Sequence, residues 1–134
     1  MSGMTEAAFA QKFRVHRKRV KHPDYPEQDT DLWWIVKYMP EREQNEAEVD
    51  MMQRGDDEGV NSPYVRIWDL RKPGFESAGG ALCIDHTWTP VNARGMGLGE
   101  EVVRAVGPFA SLHVKGDFRV EASCSYAKKV LSKI

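Results

Sequence analysis

The chain has 134 residues, a formal net charge of −1 and 41% hydrophobic residues, which is enough sequence for one domain with its own hydrophobic core. Charged residues of both signs make up 29% of the chain, a composition that excludes intrinsic disorder and argues against binding to nucleic acid by bulk charge. No apolar run reaches the roughly 18 residues of a membrane span, and the N-terminal residues lack the apolar core of a secretory signal. Two cysteines, Cys83 and Cys124, cannot build a disulfide framework, so we expect a cytoplasmic, reducing location.

Charge is unevenly distributed along the chain. The segment Lys12–Lys21 is basic and the segment Glu41–Glu58 is acidic, and runs of this kind are usually solvated faces. The acidic run lies between Pro40 and Pro63, a stretch that also contains Gly55 and Gly59. We therefore predict a single domain over residues 1–134 with a mobile acidic surface insertion around residues 40–62, which includes a short helix over Ala47–Gln53.

Four segments have the alternation and the β-branched content of strands and are predicted to form a mainly antiparallel sheet. They are Phe13–Val20, Asp31–Met39, Tyr64–Leu70 and Ala81–Trp88. A Pro-Gly turn and a Gly-Gly pair separate the last two segments, which therefore form a predicted hairpin. Trp33 and Trp34 are adjacent and must face opposite sides, so at least one of them belongs to the core.

Strict alternation in the last strand predicts two faces, with Leu82, Ile84 and His86 on one and Cys83, Asp85 and Thr87 on the other. This pattern places His86 in the core as a satisfied imidazole rather than a general base, with Asp85 unable to partner it. A metal site made of Cys83, His86 and Cys124 is excluded on the same ground, because Cys83 and His86 would point apart. We therefore expect no metal.

From Leu98 onward the period of the apolar residues changes to that of a helix. One helical face carries Leu98, Val102, Val106, Phe109 and Leu112. Pro108 lies inside this pattern and is expected to kink the helix. A short strand over Asp117–Ala122 and a terminal helix over Tyr126–Lys133 follow. The predicted fold is α+β, with a mainly antiparallel sheet, a long helix after a glycine-rich loop, and a short C-terminal helix.

The strongest functional signal is the glycine-rich loop between the fourth strand and this helix. Gly95, Gly97 and Gly99 alternate with other residues, so the backbone can approach a ligand closely. The amides of the loop, together with the first unpaired amides of the helix, predict an anion site suited to a phosphate or pyrophosphate. Arg94 can add a charge-assisted hydrogen bond to the same anion.

Three kinds of site use such a loop, and a flexible strand-to-helix turn is the structural alternative to all of them. A P-loop needs Lys followed by Ser or Thr after the last glycine, but Gly99 is followed by Glu100 and Glu101. A dinucleotide fingerprint has its third glycine one residue later and lies in a parallel βαβ unit, whereas the strands here are predicted to be antiparallel. The third kind is a coenzyme A site, in which an Arg/Gln-x-x-Gly-x-Gly/Ala loop wraps the pyrophosphate.

Three motifs together resemble those of a known family. They are His86-Thr87-Trp88-Thr89-Pro90, Arg94-Gly95-Met96-Gly97-Leu98 and Ser123-Cys124-Ser125-Tyr126. In this combination the region Ala81–Ile134 is similar to the minimal, single-domain branch of the GNAT acetyltransferases, which have an HT-x-x-P strand end and a C-x-Y motif after the next strand. The resemblance implies a compact GNAT-like fold, acetyl-coenzyme A as the cofactor, and transfer of an acetyl group to an amine acceptor, either a small molecule or a protein.

The resemblance also implies roles for individual residues. Thr87, Trp88 and Thr89 would hold the pantetheine and acyl arm along the strand edge. Cys124, with Tyr126 beside it, would lie near the thioester as the candidate catalytic residue. The pyrophosphate would be bound by Arg94, Gly95, Met96, Gly97, Leu98 and Gly99.

The position of Cys124 in the chain also supports a catalytic role. It follows a predicted strand and precedes a helix, where a thiolate is favoured, and a thiolate could accept the acetyl group or act as a base for an attacking amine. The alternative is that Cys124 is a small buried hydrophobe. The alternative function is a non-catalytic acyl-coenzyme A-binding or protein-interaction module, and a weaker third one is a nucleic-acid adaptor that uses Lys12–Lys21.

Overall fold

A computed structural model describes residues 4–40, 45–75 and 79–134 and contains a five-stranded mixed sheet with helices on both faces, so the predicted α+β class is confirmed. The strands are β1 (Phe13–His22), β2 (Tyr25–Lys37), β3 (Tyr64–Asp69), β4 (Leu82–Trp88) and β5 (Val120–Ala122). The helices are α1 (Glu6–Lys12), α2 (Glu46–Arg54), α3 (Leu98–Arg104), α4 (Val106–His113) and α5 (Ser125–Leu131). Residues 41–44, in the predicted insertion, and residues 76–78, between β3 and β4, lie outside the described residues. Within the described ranges no helix is long and apolar enough to cross a membrane.

The order of the strands in the sheet follows their order in the chain. β1, β2 and β3 each pair antiparallel with the strand that follows, and β4 pairs parallel with β5. A parallel neighbour requires a crossover from the end of β4 back to the start of β5, and α3 and α4 supply it. The prediction of a mainly antiparallel sheet is therefore confirmed, with β5 as the parallel exception.

The hairpin of β1 and β2 is longer than the sequence pattern predicts, because charged side chains pair across it. β2 begins at Tyr25, in a polar segment without apolar alternation, rather than at Asp31. Lys21 pairs with Asp29 at 3.3 Å, and Arg17 pairs with Asp31 at 3.1 Å. Opposite charges on neighbouring strands stabilise a sheet, so polar residues extend this hairpin beyond its hydrophobic part.

The main core lies between one face of the sheet and the helices α1, α3, α4 and α5. The sheet contributes Ile35, Val65 and Ile84, and α4 contributes Phe109, all of them fully buried. Trp33 packs on Phe109 with their ring centroids 5.0 Å apart. This core fixes the helices that follow β4 against the sheet.

A second, smaller core covers the opposite face of the sheet, beneath α2. Trp34 and Trp68 are buried on its sheet side, and Met52 of α2 is fully buried within it. Asn45 caps α2 by accepting a hydrogen bond from the amide of Glu48 at 2.9 Å. The helix predicted in the acidic segment is confirmed. This helix packs on the sheet, a contact that the prediction of a mobile insertion did not include.

A β-bulge in β4 overturns part of the predicted alternation. Arg66 of β3 pairs with His86, but the next residue, Ile67, pairs with Ile84, so Asp85 is an extra residue on the β4 side. An extra residue in one strand shifts the side chains after it to the other face. The predicted alternation therefore holds up to Asp85, which lies on the same face as Cys83, and is wrong for His86 and Thr87.

The bulge changes the surroundings of two predicted residues. His86 lies on the α2 face and not in the main core, whereas Thr87 lies on the face that carries α5. Cys83 packs against the second core, so Cys83 and His86 share a face and the reason given above against a metal site is wrong. Among the described residues there is still no group of three or more His, Cys, Asp or Glu side chains that could hold a metal ion.

The long helix predicted from Leu98 is interrupted, and α3 and α4 meet at Ala105. Pro108 is the third residue of α4, where its missing amide hydrogen costs little. Because Pro108 cannot donate to the carbonyl of Arg104, the helical hydrogen-bond ladder is interrupted one turn before the proline itself. The predicted kink is therefore a break between two short helices.

Met52→Ala tests whether the acidic segment belongs to the folded core. Met52 is fully buried, so we expect the substitution to lower the free energy of unfolding by about 2–5 kcal/mol. Met96 is 65% exposed and provides the matched control, since Met96→Ala should change the free energy by less than about 0.5 kcal/mol. Chemical denaturation followed by tryptophan fluorescence measures both. Similar small effects for the two substitutions would contradict the packing of α2.

Candidate functional site

β4 continues beyond the end of β5, and the two strands part at Ile84. Parallel pairing covers Leu82 to Ile84 only. The carbonyl of Ile84 accepts hydrogen bonds from the amides of Ser123 at 2.9 Å and Cys124 at 3.4 Å, and the chain then turns away from β4 into α5. Among the described residues no strand pairs with this edge of β4 over residues 85–88, so the strand end is open toward α5.

The glycine-rich loop follows β4 after a 3₁₀ turn over Val91–Ala93. Gly95 and Gly97 have φ values of 84° and 73°, in the left-handed region that glycine adopts without strain. A Cβ atom at either glycine would meet nothing within 4 Å. The space in front of the loop is therefore not filled by any described side chain.

The amides of this loop are free to bind a ligand. Within the described part of the chain, the amides of residues 95–100 donate to no protein acceptor. The first backbone hydrogen bond of α3 runs from the amide of Glu101 to the carbonyl of Gly97 at 3.0 Å. Successive unpaired amides in a tight turn form a concave anion site, which is the arrangement that the sequence predicts.

A cleft of about 380 Å³ lies between the loop, the end of β4 and α5. Its lining consists of Thr87, Trp88, Thr89, Ala93, Arg94, Gly95, Gly97, Leu98, Gly99 and Tyr126. All the predicted cofactor-binding residues except Met96 are in this set, and Met96 is largely in solvent. Ala93 was not predicted, because a small apolar residue carries no chemical signal in the sequence.

Arg94 forms one wall of the cleft. Its Nε atom donates to the carbonyl of Thr89 at 3.0 Å, and its guanidinium carbon lies 5.4 Å from the centroid of the Trp88 ring. Trp88 is itself held in place, since its Nε1 donates to the carbonyl of Val60 at 3.1 Å. The two terminal nitrogens of Arg94 have no acceptor among the described residues, so they can donate to an anion at the loop.

Gly99 lets the side chains of two other elements approach α3 closely. A Cβ atom at Gly99 would lie 2.7 Å from Oγ1 of Thr89 and 3.1 Å from the hydroxyl oxygen of Tyr126. A larger residue would therefore displace both side chains, and with them two walls of the cleft. The third glycine of the loop thus serves packing, unlike Gly95 and Gly97, which face open space.

Tyr126 contributes a protonated phenol to the cleft. The residue is 42% exposed, and burial of the rest, followed by the negative charge of Glu100, raises the pKa of Tyr126. A raised pKa keeps the hydroxyl protonated throughout the neutral range. Tyr126 can therefore donate a hydrogen bond to a bound ligand.

Cys124 lies beside Thr87 at the open edge of β4. Its Sγ atom is 3.4 Å from Oγ1 of Thr87, a distance that allows a hydrogen bond with either atom as the donor. Cys124 is half-buried against the main core and directly precedes α5, where its side chain makes no capping bond. The sequence predicts Cys124 just before a helix, and the structure places it there. α5 begins at Ser125, one residue before the predicted start. That the helix favours a thiolate stays a prediction.

A polar cluster surrounds His86 and is not among the features that the sequence predicts. On the α2 face, Nε2 of His86 lies 2.7 Å from Oδ2 of Asp57, and the hydroxyl of Tyr64 donates to Oδ1 of Asp57 at 2.6 Å. The imidazole is satisfied, as predicted, but by a residue of the acidic segment. Burial, followed by the hydrogen bond to Asp57, raises the pKa of Tyr64 far above its ordinary value. The acidity of that segment was the only sequence signal for this contact.

The bulge residue Asp85 anchors the same face of β4. Its carboxylate accepts hydrogen bonds from Nε and Nη2 of Arg66 at 3.0 and 2.9 Å, and from Nε1 of Trp68 at 2.8 Å. Arg66 in turn donates to the carbonyl of Gln53 in α2 at 3.0 Å. The end of β4 that lines the cleft is therefore fixed on its α2 face by a half-buried hydrogen-bond network.

Glu100→Gln tests the electrostatic contact between α3 and Tyr126. Removal of the negative charge makes ionisation of the phenol easier, so we expect the pKa of Tyr126 to fall toward its ordinary value. Absorbance titration of tyrosinate measures the change, and the same titration with Tyr126→Phe assigns the signal. Glu121→Gln, at an exposed glutamate of β5, is the control and should leave the pKa of Tyr126 in place. An unchanged titration in Glu100→Gln contradicts the described geometry.

The chain matches no protein-family model, no curated protein and no solved structure with which it was compared. A function for the cleft is therefore inferred from its geometry, from the chemistry of its lining, and from the three motifs that the sequence carries.

Proposed function

We propose that this chain is an acetyl-coenzyme A-dependent N-acetyltransferase of the GNAT type. The observation that carries the proposal is that free anion-binding amides and a cysteine thiol flank the same open strand end. The cleft is lined by Gly95, Gly97, Leu98 and Gly99 of the loop, whose amides are free, and by Thr87, whose hydroxyl contacts Sγ of Cys124, although Cys124 itself does not line the cleft. A coenzyme A thioester needs both features, because its diphosphate must be held at a distance from its reactive carbonyl.

The loop end of the cleft has the chemistry that a diphosphate requires. Its amides supply several hydrogen-bond donors, and Arg94 supplies a positive charge with free terminal nitrogens. Among the described residues that line the cleft there is no carboxylate, and Glu100, whose charge acts on Tyr126, is paired with Arg104. Arginine and converging amides together are a common means of phosphate recognition.

The strand end supplies a track for the arm that connects the diphosphate to the thioester. Thr87 and Trp88 belong to a stretch of β4 with no strand neighbour on the cleft side in the described chain. The pantetheine arm contains amide groups, which can pair with free backbone groups of a strand as another strand would. The direction from the loop along β4 leads to Cys124.

Two routes from the thioester to the amine are available to Cys124. In the first, the thiolate attacks the thioester carbonyl and becomes S-acetylated, and coenzyme A leaves as a thiolate. The amine then attacks the acetyl group on Cys124, the sulfur leaves, and the proton of the amine passes to the coenzyme A thiolate. In the second route, Cys124 takes the proton of the amine while the amine attacks the thioester directly. Tyr126 lines the same cleft and can donate a hydrogen bond to the bound cofactor.

The connection between β4 and β5 supports the GNAT-type assignment of the fold. A strand, a glycine-rich loop, a helical crossover and a parallel strand follow one another, and the cysteine comes directly after the parallel pairing ends. These are the segments that carry the three motifs. The acceptor in this proposal is an amine, either a small molecule or a protein.

Arg94→Ala tests the diphosphate contact. Titration calorimetry with coenzyme A should show binding to the unmodified chain, and the substitution should weaken that binding roughly ten- to a hundredfold, because one charge-assisted contact is worth about 1.5–3 kcal/mol. Affinity for pantetheine, which lacks the phosphates, should change little.

Arg14→Ala is the matched control for this experiment. Arg14 also stacks on an aromatic ring, Tyr38, at 4.0 Å and donates to a backbone carbonyl, that of Ala10, but it does not line the cleft. Its substitution should leave coenzyme A binding unchanged. Equal losses for coenzyme A and pantetheine in Arg94→Ala, or no binding of coenzyme A at millimolar concentration, contradict the proposal.

Cys124→Ser tests the role of the thiol. We expect at least a hundredfold loss of acetyl transfer to a panel of amines, on the order of one acid–base or nucleophilic contribution, with coenzyme A affinity nearly unchanged. Cys83→Ser is the control. Burial raises the pKa of Cys83, and Cys83 packs against the second core, so its substitution should leave transfer intact. If Cys124→Ser transfers acetyl groups at the full rate, Cys124 has a structural role. If the unmodified chain binds coenzyme A but transfers no acetyl group, the chain is a non-catalytic acyl-coenzyme A-binding module.

A further inference from the structure

The outer edge of β1 carries backbone groups that no other part of the described chain uses. β1 is the first strand in the order of the sheet and pairs with β2 alone. In an antiparallel pair, alternate residues direct their amide and carbonyl groups toward the partner strand, and the residues between them direct theirs away from it. The free edge of β1 is therefore made by every second residue of the strand.

Two hydrogen bonds at the start of the hairpin show which residues form this edge. The amide of Tyr38 donates to the carbonyl of Lys12 at 2.7 Å, so this pair is bonded across the hairpin. Phe13 lies opposite Lys37, whose amide instead donates at 2.9 Å to the carbonyl of Pro63, on the β3 side. Even-numbered residues therefore bond to β2, and odd-numbered residues face the free edge. In the middle of the strand the latter are Val15, Arg17 and Arg19.

The same edge has a surplus of positive charge. The buried carboxylate of Asp31 pairs with Arg17 at 3.1 Å and with Arg19 at 3.4 Å. Lys72 also contacts this carboxylate, at 3.4 Å. Three cations therefore share one negative charge, and β1 itself contains no acidic residue.

The opposite face of β1 is basic as well. Lys18 is exposed, and its Nζ atom donates to the neutral amide oxygen of Gln53 at 3.2 Å. Arg14 is also exposed and lies over the ring of Tyr38 at 4.0 Å. These contacts neutralise neither cation. A ligand at this edge therefore meets positive charge on both faces of the sheet.

We propose that the outer edge of β1 binds an acidic peptide in the extended conformation, which joins the sheet as an additional strand. The free amides and carbonyls repeat at every second residue, roughly 7 Å apart, and match the backbone groups of an added strand. Acidic side chains of that strand would lie beside Arg17 and Arg19 on one face and beside Lys18 on the other.

The backbone groups favour a peptide over a nucleic acid at this edge. Both ligands are attracted by the positive charge, but only a peptide has alternating donors and acceptors at the spacing of a strand. None of the residues of this edge lines the cleft beside Cys124. The proposed peptide site is therefore separate from the proposed coenzyme A site.

Fluorescence anisotropy with a labelled peptide of about nine residues, in which glutamate and threonine alternate, tests this proposal. We expect binding that weakens about tenfold when the ionic strength rises from about 0.05 M to about 0.5 M, because salt screens exposed charges. The same peptide with N-methylated amides keeps the charge but has no backbone donors. It should bind about tenfold more weakly, since the hydrogen bonds to the edge are lost.

Arg19→Pro and Arg19→Ala separate the backbone from the charge. Both substitutions remove the same cation, but only Arg19→Pro also removes the amide hydrogen at the free edge. Proline is tolerated there because this amide does not bond to β2. We expect Arg19→Ala to weaken binding of the glutamate–threonine peptide about threefold, and Arg19→Pro to weaken it about tenfold more.

Hydrogen exchange in the unmodified chain, followed residue by residue by NMR, decides the outcome if Arg19→Pro does not fold. The bound peptide should slow exchange at the amides of Val15, Arg17 and Arg19 about tenfold. The amides of Lys18 and Val20 are the matched control, because they bond to β2 in the free protein and should change little.

Several outcomes overturn this inference. One is equal binding of the N-methylated peptide, and another is unchanged exchange at the amides of Val15, Arg17 and Arg19. Single-stranded DNA that binds more tightly and displaces the peptide would assign the edge to a nucleic acid. Exchange that slows at these amides with rising protein concentration, without peptide, would assign it to a second copy of this chain. Each of these results leaves the proposed function unchanged, since coenzyme A takes no part in the experiment.

Discussion

The carbonyl of Ile84 is the point on which the candidate site depends. It accepts the amides of both Ser123 and Cys124, so it ends the parallel ladder and at the same time fixes where the chain turns into α5. Because the chain turns away at this point, β5 does not pair with β4 beyond Ile84. Since Cys124 is held there, its sulfur lies next to Thr87, and the backbone beyond residue 84 stays open for a ligand.

The bulge immediately after Ile84 gives the strand end two different faces. Asp85 and His86 turn toward α2, where Arg66 and Asp57 satisfy them, and Thr87 turns toward α5. A regular strand would have placed Thr87 on the α2 face and His86 in the main core. The extra residue therefore turns His86 toward Asp57 and places the hydroxyl of Thr87 beside the thiol.

How much of this molecule could be predicted from sequence depends on whether the signal is local. The residues predicted to bind the cofactor come almost all from the contiguous segment from Thr87 to Gly99, whose glycines and arginine carry recognisable chemistry, and the same segment lines most of the cleft. The bulge could not be predicted, because alternation contains no signal for an extra residue. The contact of Asp57 with His86 could not be predicted either, since it joins positions far apart in the chain through the packing of α2. The parallel strand β5 is too short for its direction to be read from its residues.

The basic residues of β1 have a consequence for how this protein behaves at high concentration. β1 is the outermost strand of the sheet on one side, and an uncovered edge strand is a template for pairing with another copy. Arg17, Lys18 and Arg19 are exposed along this strand, so two such edges brought together would place like charges side by side. Electrostatic repulsion of this kind is a common protection of β-sheet edges against self-association, and one of the side chains that provide it, Arg17, also pairs across the hairpin with Asp31.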